Sequence, residues 1–482
     1  MSEHSSWWER YKLVGAGASG IAAGVEAAVT AGALAPGEAL PPVRELAELL
    51  GVNANTVAAA YRALRDRGTV ETRGRAGTRV RERPGTSMRQ RPYAIPEGTK
   101  NLSVGSPDVE LLPRLSPPSH IDVSAYRYAA AEPALEEQLR LRLARNVATR
   151  ADPNDAAAAT AAQLIGQSEL LPVYGSLDGI DRLLATHTRP GDKVAVEDPA
   201  WGNLLDLAAS RGLSLLPMRV DDEGPDPADL RAALAAGARV VIVTARAQNP
   251  YGAIVSPRRA KLLRAALSAH PDVLTIDDDH GADLTVEAPQ LLCGATRAWA
   301  YLYSASKAYG PDMRIAALAG DADLLDRVSG QLKHTARNVS SVMQQLWATA
   351  LADRGHDAVL ERATNAYAAN RKGLIDELAQ YGIEAHGASG LNVWIPVPDE
   401  TAAATGLLAR GWAVAPGSWF RINSGPGIRV TIAALHAPTE RAALAEAVAA
   451  VLGVGAGRGG WHGRGQGHGR GVPRGERVEE IV

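Results

Sequence analysis

The chain is poor in sulfur, with one cysteine, Cys293, among 482 residues. That excludes an intramolecular disulfide framework and any multi-cysteine zinc site, and no metal centre is expected; a reducing cytoplasm is the simplest compartment. A long apolar run is missing too. The most apolar helical stretch, residues 21–34, contains Glu26 and falls short of the ~20 residues a bilayer crossing needs. The first twelve residues, MSEHSSWWERYK, lack the basic and apolar regions of an export signal, so a soluble protein without membrane association is expected. Neither charge sign dominates: 51 Lys and Arg face 53 Asp and Glu, a net of −2, which excludes a polycation coating nucleic acid. Phenylalanine occurs once beside nine Trp and twelve Tyr, a skew that reads as codon bias in this Ala- and Arg-rich background.

What is present divides along the chain. At about 150 residues per domain the length predicts roughly three units. Residues 1–83 are helix-patterned and end in a basic stretch. Ten arginines between Arg62 and Arg91 face only Asp66, Glu71 and Glu82, a local balance of +7. Residues 84–100 carry Pro and Gly without apolar periodicity and read as a linker. From 101 to 453, apolar runs such as KVAVED (193–198), RVVIVTA (239–245), VLTIDDD (273–279) and YLYSAS (301–306) alternate with amphipathic stretches. That alternation predicts α/β units around a mainly parallel sheet, with a smaller α/β subdomain over about 335–453. Residues 454–482, rich in Gly, Arg and His, read as a disordered tail.

Near the N-terminus, Gly15, Gly17 and Gly20 match G-x-G-x-x-G. A dinucleotide fold would need a flanking strand and a second strand ending in an acid; the chain instead turns at Pro36-Gly37 and starts another helix, so a glycine-rich helix entry is expected. The following residues read as helix 42–50, turn at Gly51, helix 55–67, then strands 69–72 and 78–81 around a Gly/Arg loop. Leu46, Leu49 and Leu50 are expected inside from the first helix, and Val57, Tyr61 and Leu64 from the second. Asn53, Asn55 and Thr56 then stand at the start of the second helix, where side chains and the positive helix end can meet DNA. Arg44, Arg75 and Arg79 are candidates for phosphate or minor-groove contact. The segment resembles a GntR-type winged helix, departing from its pattern at Pro42, where Ser is usual, and at Ala54, where Arg is common.

Four short motifs in the larger region suit one cofactor. Lys307 in Ser304-Ala305-Ser306-Lys307 ends a strand-like run, where an amine can form a Schiff base with an aldehyde. The nearby hydroxyls and Arg314 suit a phosphate. Tyr174-Gly175-Ser176-Leu177 opens a helix whose free N–H groups can cradle the same phosphate. Asp277-Asp278-Asp279 can hold a protonated pyridine nitrogen, and Asn249 of Asn249-Pro250-Tyr251-Gly252 supplies an amide for a phenolate.

In order and spacing these motifs resemble the fold-type I aminotransferases, which bind pyridoxal 5′-phosphate (PLP). The resemblance implies Lys307 as the Schiff-base lysine, Asp278 on the pyridine nitrogen with Asp277 as the alternative one register away, and Asn249 on the ring oxygen. It implies a phosphate cup of Gly175, Ser176, Leu177, Ser304, Ser306 and Arg314, with Tyr128 reaching the phosphate of a second subunit. Trp201 would stack on the ring, and Arg429 would take an effector carboxylate. His280 stands where the family has a ring-contacting Tyr, Tyr251 where it has Thr, and Asn203 where amino-acid-sensing relatives have Arg.

A winged helix joined to such a domain resembles the MocR subfamily of GntR regulators, closest to its PtsJ-type members. The resemblance implies a homodimeric, cytoplasmic regulator that binds a double-stranded operator, senses PLP or a related vitamin B6 vitamer, and controls B6 salvage through pyridoxal kinase, acting as a sensor and not an enzyme. Two alternatives stay open: a working aminotransferase with a DNA-binding appendage, and a regulator that senses an amino acid or amine through its PLP.

Overall fold

In a computed structural model of the chain, residues 8, 13, 17–30, 33–35, 37–66, 69–72, 77–81, 89, 94–124, 130–148 and 155–454 are described. The tail expected beyond residue 454 lies outside them.

Among the described residues, helices and a two-stranded ribbon build the N-terminal unit. Helix Ala18–Thr30 follows Gly17 directly and packs on helix Ala54–Asp66. The glycine motif is thus a helix entry, as expected. Helix Val43–Leu50 ends at Gly51, whose φ of 66° lets its own amide and that of Val52 bond back to the carbonyls of Glu48 and Ala47. Tyr61 Oη donates to the Pro41 carbonyl at 2.7 Å, which fixes the second helix against the entry to the first. Strands β1 (Val70–Thr72) and β2 (Thr78–Val80) pair antiparallel with Val70 opposite Val80.

Val57, Tyr61 and Leu64 are buried as their spacing requires, but the first helix differs from expectation. It buries Leu46, Ala47 and Leu50, while Leu49 is 43% exposed. At about 100° per residue, Leu49 points roughly 160° away from Ala47. The small Ala47 is the one that faces the core, and an eight-residue helix has no second buried face for Leu49.

The larger unit begins with β3 (Lys100–Asn101) and continues through β4 (Leu171–Val173), β5 (Lys193–Asp198), β6 (Ser214–Asp221), β7 (Gly224–Pro225), β8 (Ala238–Thr244), β9 (Leu274–Asp279), β10 (Trp299–Ser304) and β11 (Ala316–Gly320). Eight of these form one sheet in the order β4-β11-β10-β9-β8-β5-β6-β7. The five central strands, β10 to β6, run parallel, and helices such as Ser176–His187 and Pro257–Leu267 cross between strands. Buried apolar clusters lie on both faces, which is why the strands read as continuous apolar runs. The ends of β5, β8, β9 and β10 therefore deliver Trp201, Asn249, Asp278 and Lys307 to one edge.

After helices Ser341–Ala352 and Arg354–Ala379 comes a smaller layer of β12 (Asn392–Pro396), β13 (Trp412–Ala413), β14 (Ala415–Pro416) and β15 (Gly427–Thr431), closed by helix Pro438–Leu452. Strands β12, β15 and β14 form an antiparallel sheet, while β13 pairs with β3. Leu102 completes this join, giving its N–H to Ala413 O and taking the N–H of Thr431 on its own carbonyl. The chain leaving the linker is thereby stitched between β13 and β15, which positions residues 103–105.

The helix correction is testable. Leu46→Ala, at a fully buried site, should cost about 2–5 kcal/mol, and Leu49→Ala less than about 1 kcal/mol. Amide hydrogen exchange across 43–66 measures both, and equal costs would contradict the burial described.

Candidate functional site

At the strand ends a cavity of about 220 Å³ is lined by ten of the residues singled out above: Ser176, Leu177, Trp201, Asn249, His280, Ser304, Ser306, Lys307, Arg314 and Arg429. Val104, Gly105, Ser106, Asn203 and Pro311 complete the wall. Tyr128 lies outside the described residues.

One end suits an oxyanion. Gly175 precedes helix Ser176–His187 with φ 92°, and a Cβ there would stand 2.9 Å from Arg314 Nη2, so only glycine lets the guanidinium lie against this turn. The Ser176 hydroxyl is buried with no hydrogen-bond partner among the described residues. Ser306 Oγ donates to Met313 O at 2.9 Å and lies 3.3 Å from Arg314 Nη1, holding the loop from Ser306 to Arg314 closed. A helix N-terminus, the Ser176 hydroxyl and a guanidinium converge here, as an anion requires.

Lys307 is held on the wall by donating to Gly105 O at 2.6 Å. Burial, and then the cations Arg429 and Arg314, depress its amine to about 8, with Asp278 pulling the other way. About a tenth of the amine is therefore unprotonated at pH 7, far more than for a free lysine, and that form is nucleophilic.

The acid triplet separates by strand alternation. Asp277 is buried on one face of β9, where its carboxylate accepts the amides of Leu292 and Cys293, and burial pushes it up to about 7. Both of its oxygens are committed to that loop. Asp278 turns the other way: Oδ2 lies 3.1 Å from His280 Nδ1, and Oδ1 is buried without a hydrogen-bond partner among the described residues. Asp279 holds Arg246 in a fully buried bidentate pair at 2.8 Å and accepts from Tyr301 Oη. That pair ties the segment leading to Asn249 onto β9.

Arg429, on β15, is 2% exposed and reaches across the cavity floor. It donates to Asn249 Oδ1 at 3.0 Å and to the Ser103 carbonyl, and its guanidinium lies 4.7 Å over the Phe420 ring. Burial draws it down to about 9. With Oδ1 taken, Asn249 keeps its NH₂ for another acceptor. Trp201, half-buried at the cap of helix Gly202–Ser210, supplies the aromatic wall.

Sequence reasoning passed over several contributors. Ser103 and Gly105 act through backbone carbonyls, which no residue-type pattern reveals. Asp198 ends β5 three residues before Trp201, and residue type alone does not reveal its role. Its carboxylate accepts the amides of Ile422, Asn423 and Ser424 and the Ser424 hydroxyl, all within 2.8 Å, pinning the smaller layer's loop beside Trp201. Tyr251, at the family's Thr position, stacks on His386 at 4.5 Å and does not line the cavity.

On the winged unit, Arg44 and Asn55 are exposed and Thr56 is partly so. Asn53 Oδ1 accepts the Asn55 amide at 2.8 Å and caps the second helix, leaving only its NH₂ for an outside acceptor. Arg79 Nη1 donates to Gly37 O at 3.1 Å, which commits part of that guanidinium internally. Arg75 lies outside the described residues.

Residues 121–448 match the aminotransferase class I and II family, and residues 18–80 match the gntR family of bacterial regulatory proteins. The chain is 35% identical over 425 residues to the vitamin B6 salvage pathway transcriptional repressor PtsJ of Salmonella typhimurium, covering 85% of this chain and 92% of that one. It is 23% identical over 387 residues to the probable rhizopine catabolism regulatory protein MocR of Rhizobium meliloti, covering 72% and 74%. Among solved structures, an archaeal alanine:glyoxylate aminotransferase superposes with a TM-score of 0.63 at 22% identity, over 74% of this chain and 91% of that one, which shows the shared fold.

The Lys307 environment carries a pH signature. An amine depressed from 10.5 to about 8 costs stability below pH 8, and that cost fades as pH rises from 8 to 10.5 while only the unfolded state stays protonated. The cost is on the order of 3 kcal/mol, and the Gly105 hydrogen bond returns about 1. Lys307→Met should therefore stabilise the protein by about 2 kcal/mol at pH 7 in urea unfolding without added PLP. The gain should vanish by about pH 10.5; a gain independent of pH would contradict the charged, buried amine.

Proposed function

The chain belongs to the MocR-type GntR regulators, a gntR-family reader joined to an aminotransferase class I and II unit, and from that we propose a DNA-binding transcription regulator whose signal is PLP or a related B6 vitamer. The observation that carries the reading is a cavity whose wall holds the buried Ser176 hydroxyl, without a partner among the described residues, and a lysine depressed to about 8, with the unpartnered Asp278 oxygen buried next to the lining His280. These are the groups a phosphate, a pyridine nitrogen and an aldehyde would each satisfy, so the residues fit PLP.

PLP supplies an electrophilic aldehyde and a pyridine ring that withdraws electrons when protonated. Lys307 offers an amine that burial, Arg429 and Arg314 make easier to deprotonate. Asp278 Oδ1 would accept the proton on the ring nitrogen, with His280 steadying Oδ2. Asn249 would donate its free NH₂ to the phenolate. Ser176, Ser304, Ser306, Arg314 and the helix N–H groups after Gly175 would take the phosphate, and Trp201 would cover one ring face. Arg429 fixes Asn249 and is available to an effector carboxylate only by giving up its Asn249 or Ser103 contact.

In this proposal the protein acts in the cytoplasm as a homodimer, with Tyr128 reaching the second subunit's phosphate. No helix among the described residues is long and apolar enough to cross a membrane. The B6 salvage gene as target follows from the Salmonella relative, a repressor of the vitamin B6 salvage pathway. Arg44 would contact phosphate, and Asn55 and Thr56 would read bases, with Arg75 and Arg79 on the wing.

Two measurements test this. Lys307→Ala should leave DNA binding without PLP intact while abolishing the change PLP causes, read by fluorescence anisotropy of a labelled duplex; a normal PLP response would defeat the role of Lys307. Rapid loss of the PLP absorption band on mixing with several amino acids would favour the aminotransferase reading instead. Separately, Arg44→Ala should weaken DNA binding and lower the slope of log K against log salt by about 1. An unchanged slope removes Arg44 from the phosphate contacts.

A further inference from the structure

Asn249 stands in a strained turn between β8 and helix Pro257–Leu267. Two residues before it, Ala247 adopts φ 58°, a left-handed conformation that an alanine keeps only where its surroundings impose it. Here the surroundings are the segment leading into β12. Ser389 Oγ accepts the Ala247 amide at 2.7 Å, and the Ser389 amide donates to Gly252 O at 2.9 Å. A Cβ at Gly252 would stand 2.9 Å from Gly387 Cα, so the two segments touch backbone to backbone.

Two side chains of the smaller layer also reach this turn, from one row of its sheet. His386 exchanges both backbone hydrogen bonds with Trp394 at 2.8 Å, and Trp394 lies opposite Arg429 in the pairing of β12 with β15. Residues directly opposite one another share a face, so His386, Trp394 and Arg429 look toward the turn together. Arg429 Nη1 holds Asn249 Oδ1 at 3.0 Å, and His386 stacks on the Tyr251 ring with centroids 4.5 Å apart and planes 22° apart. A carboxylate faces each nitrogen of the His386 ring: Asp222 Oδ1 is 3.2 Å from Nδ1, and Glu384 Oε1 is 3.5 Å from Nε2. Those two acids are 62% and 63% exposed, whereas the His386 side chain is 13% exposed. The ion pairs therefore orient the ring, and the buried stack carries the hold.

We infer that His386 is a positioning residue for Asn249: by stacking on Tyr251 it closes a second grip on the turn, two residues from the grip of Arg429. One hydrogen bond to Asn249 leaves the turn able to pivot about that bond. A ring stacked two residues further on removes the pivot and fixes the direction in which the Asn249 NH₂ points into the cavity. The aromatic at position 251 has its physical reason here, since a threonine offers no ring to stack. His386 does not line the cavity and acts only through the turn.

The inference rests on the PLP reading of the cavity, and its tests separate the two. In absorbance titration of the full chain with PLP, His386→Ala and Tyr251→Thr should each weaken uptake about three- to tenfold, the range of one well-made contact. The double variant should be no weaker than either alone, and His386→Phe, which keeps a ring, should recover most of the affinity. In an Asn249→Ala background, His386→Ala should cause no further loss, because its effect passes through that amide. Unchanged affinity in the single variants, an additive double variant, or the same loss with and without Asn249 overturns the inference. Tyr251→Thr removes the stack from the larger unit's side, so a His386 variant that fails to fold leaves the test standing. A second arm needs no PLP: the Tyr251 and Gly252 amides, which donate to Gln248 Oε1 and Gln248 O, should exchange hydrogen faster once the stack is removed. Unchanged exchange also overturns the grip. If the unaltered chain takes up no PLP, the function proposed above fails, while the exchange arm still decides the grip.

Discussion

The Arg429 guanidinium is buried almost completely, and what it does to survive there organises the cavity. A cation out of water must find acceptors, and this one finds the Asn249 amide beyond β8, the Ser103 carbonyl beside β3 and the Phe420 ring in the smaller layer. Three segments far apart in sequence are thereby held to one point. Gly105, with φ 69°, packs against the same guanidinium, where a Cβ would stand 3.1 Å from Nη1. The carbonyl of that glycine in turn holds Lys307. The position of the lysine thus depends on an arginine 122 residues further along the chain, which also helps lower its proton affinity.

The rest of the site repeats this economy of buried charge. Three consecutive aspartates at the end of β9 would repel one another if left alone. Each is instead assigned a separate environment: backbone amides for Asp277, His280 for Asp278, and Arg246 with Tyr301 for Asp279. Of the three, Asp278 keeps one oxygen without a partner among the described residues. A carboxylate left short of partners in such a setting stands out because its neighbours are so fully satisfied.

Much of this was legible in residue order, for physical reasons. Parallel strands buried on both faces announce themselves as apolar runs, and the residues just past them share an edge, so Asn249, Asp278 and Lys307 could be grouped before any coordinates. The alternation of side chains along β9 resolves Asp277 from Asp278, but only once the strand's facing is known. Contacts made by backbone atoms, such as Gly105 O and Ser103 O, leave no trace in residue identity. Nor does the pairing of β3 with β13, since two-residue strands are too short to show a period. Leu49 failed for a different reason: in a short helix a small residue can face the core, and apolarity alone does not say which neighbour will.

The Asn53 cap has a consequence for how such a reader can diverge. By spending its carbonyl oxygen on the helix start, Asn53 separates the task of holding the helix from the task of meeting bases, which the function proposed above gives to the exposed Asn55 and its neighbour Thr56. Replacements at 55 and 56 can therefore retune which operator is preferred with little loss of fold, whereas a replacement at 53 alters folding and recognition together. The surface that determines the target is free to drift, and the residue that orients it is not.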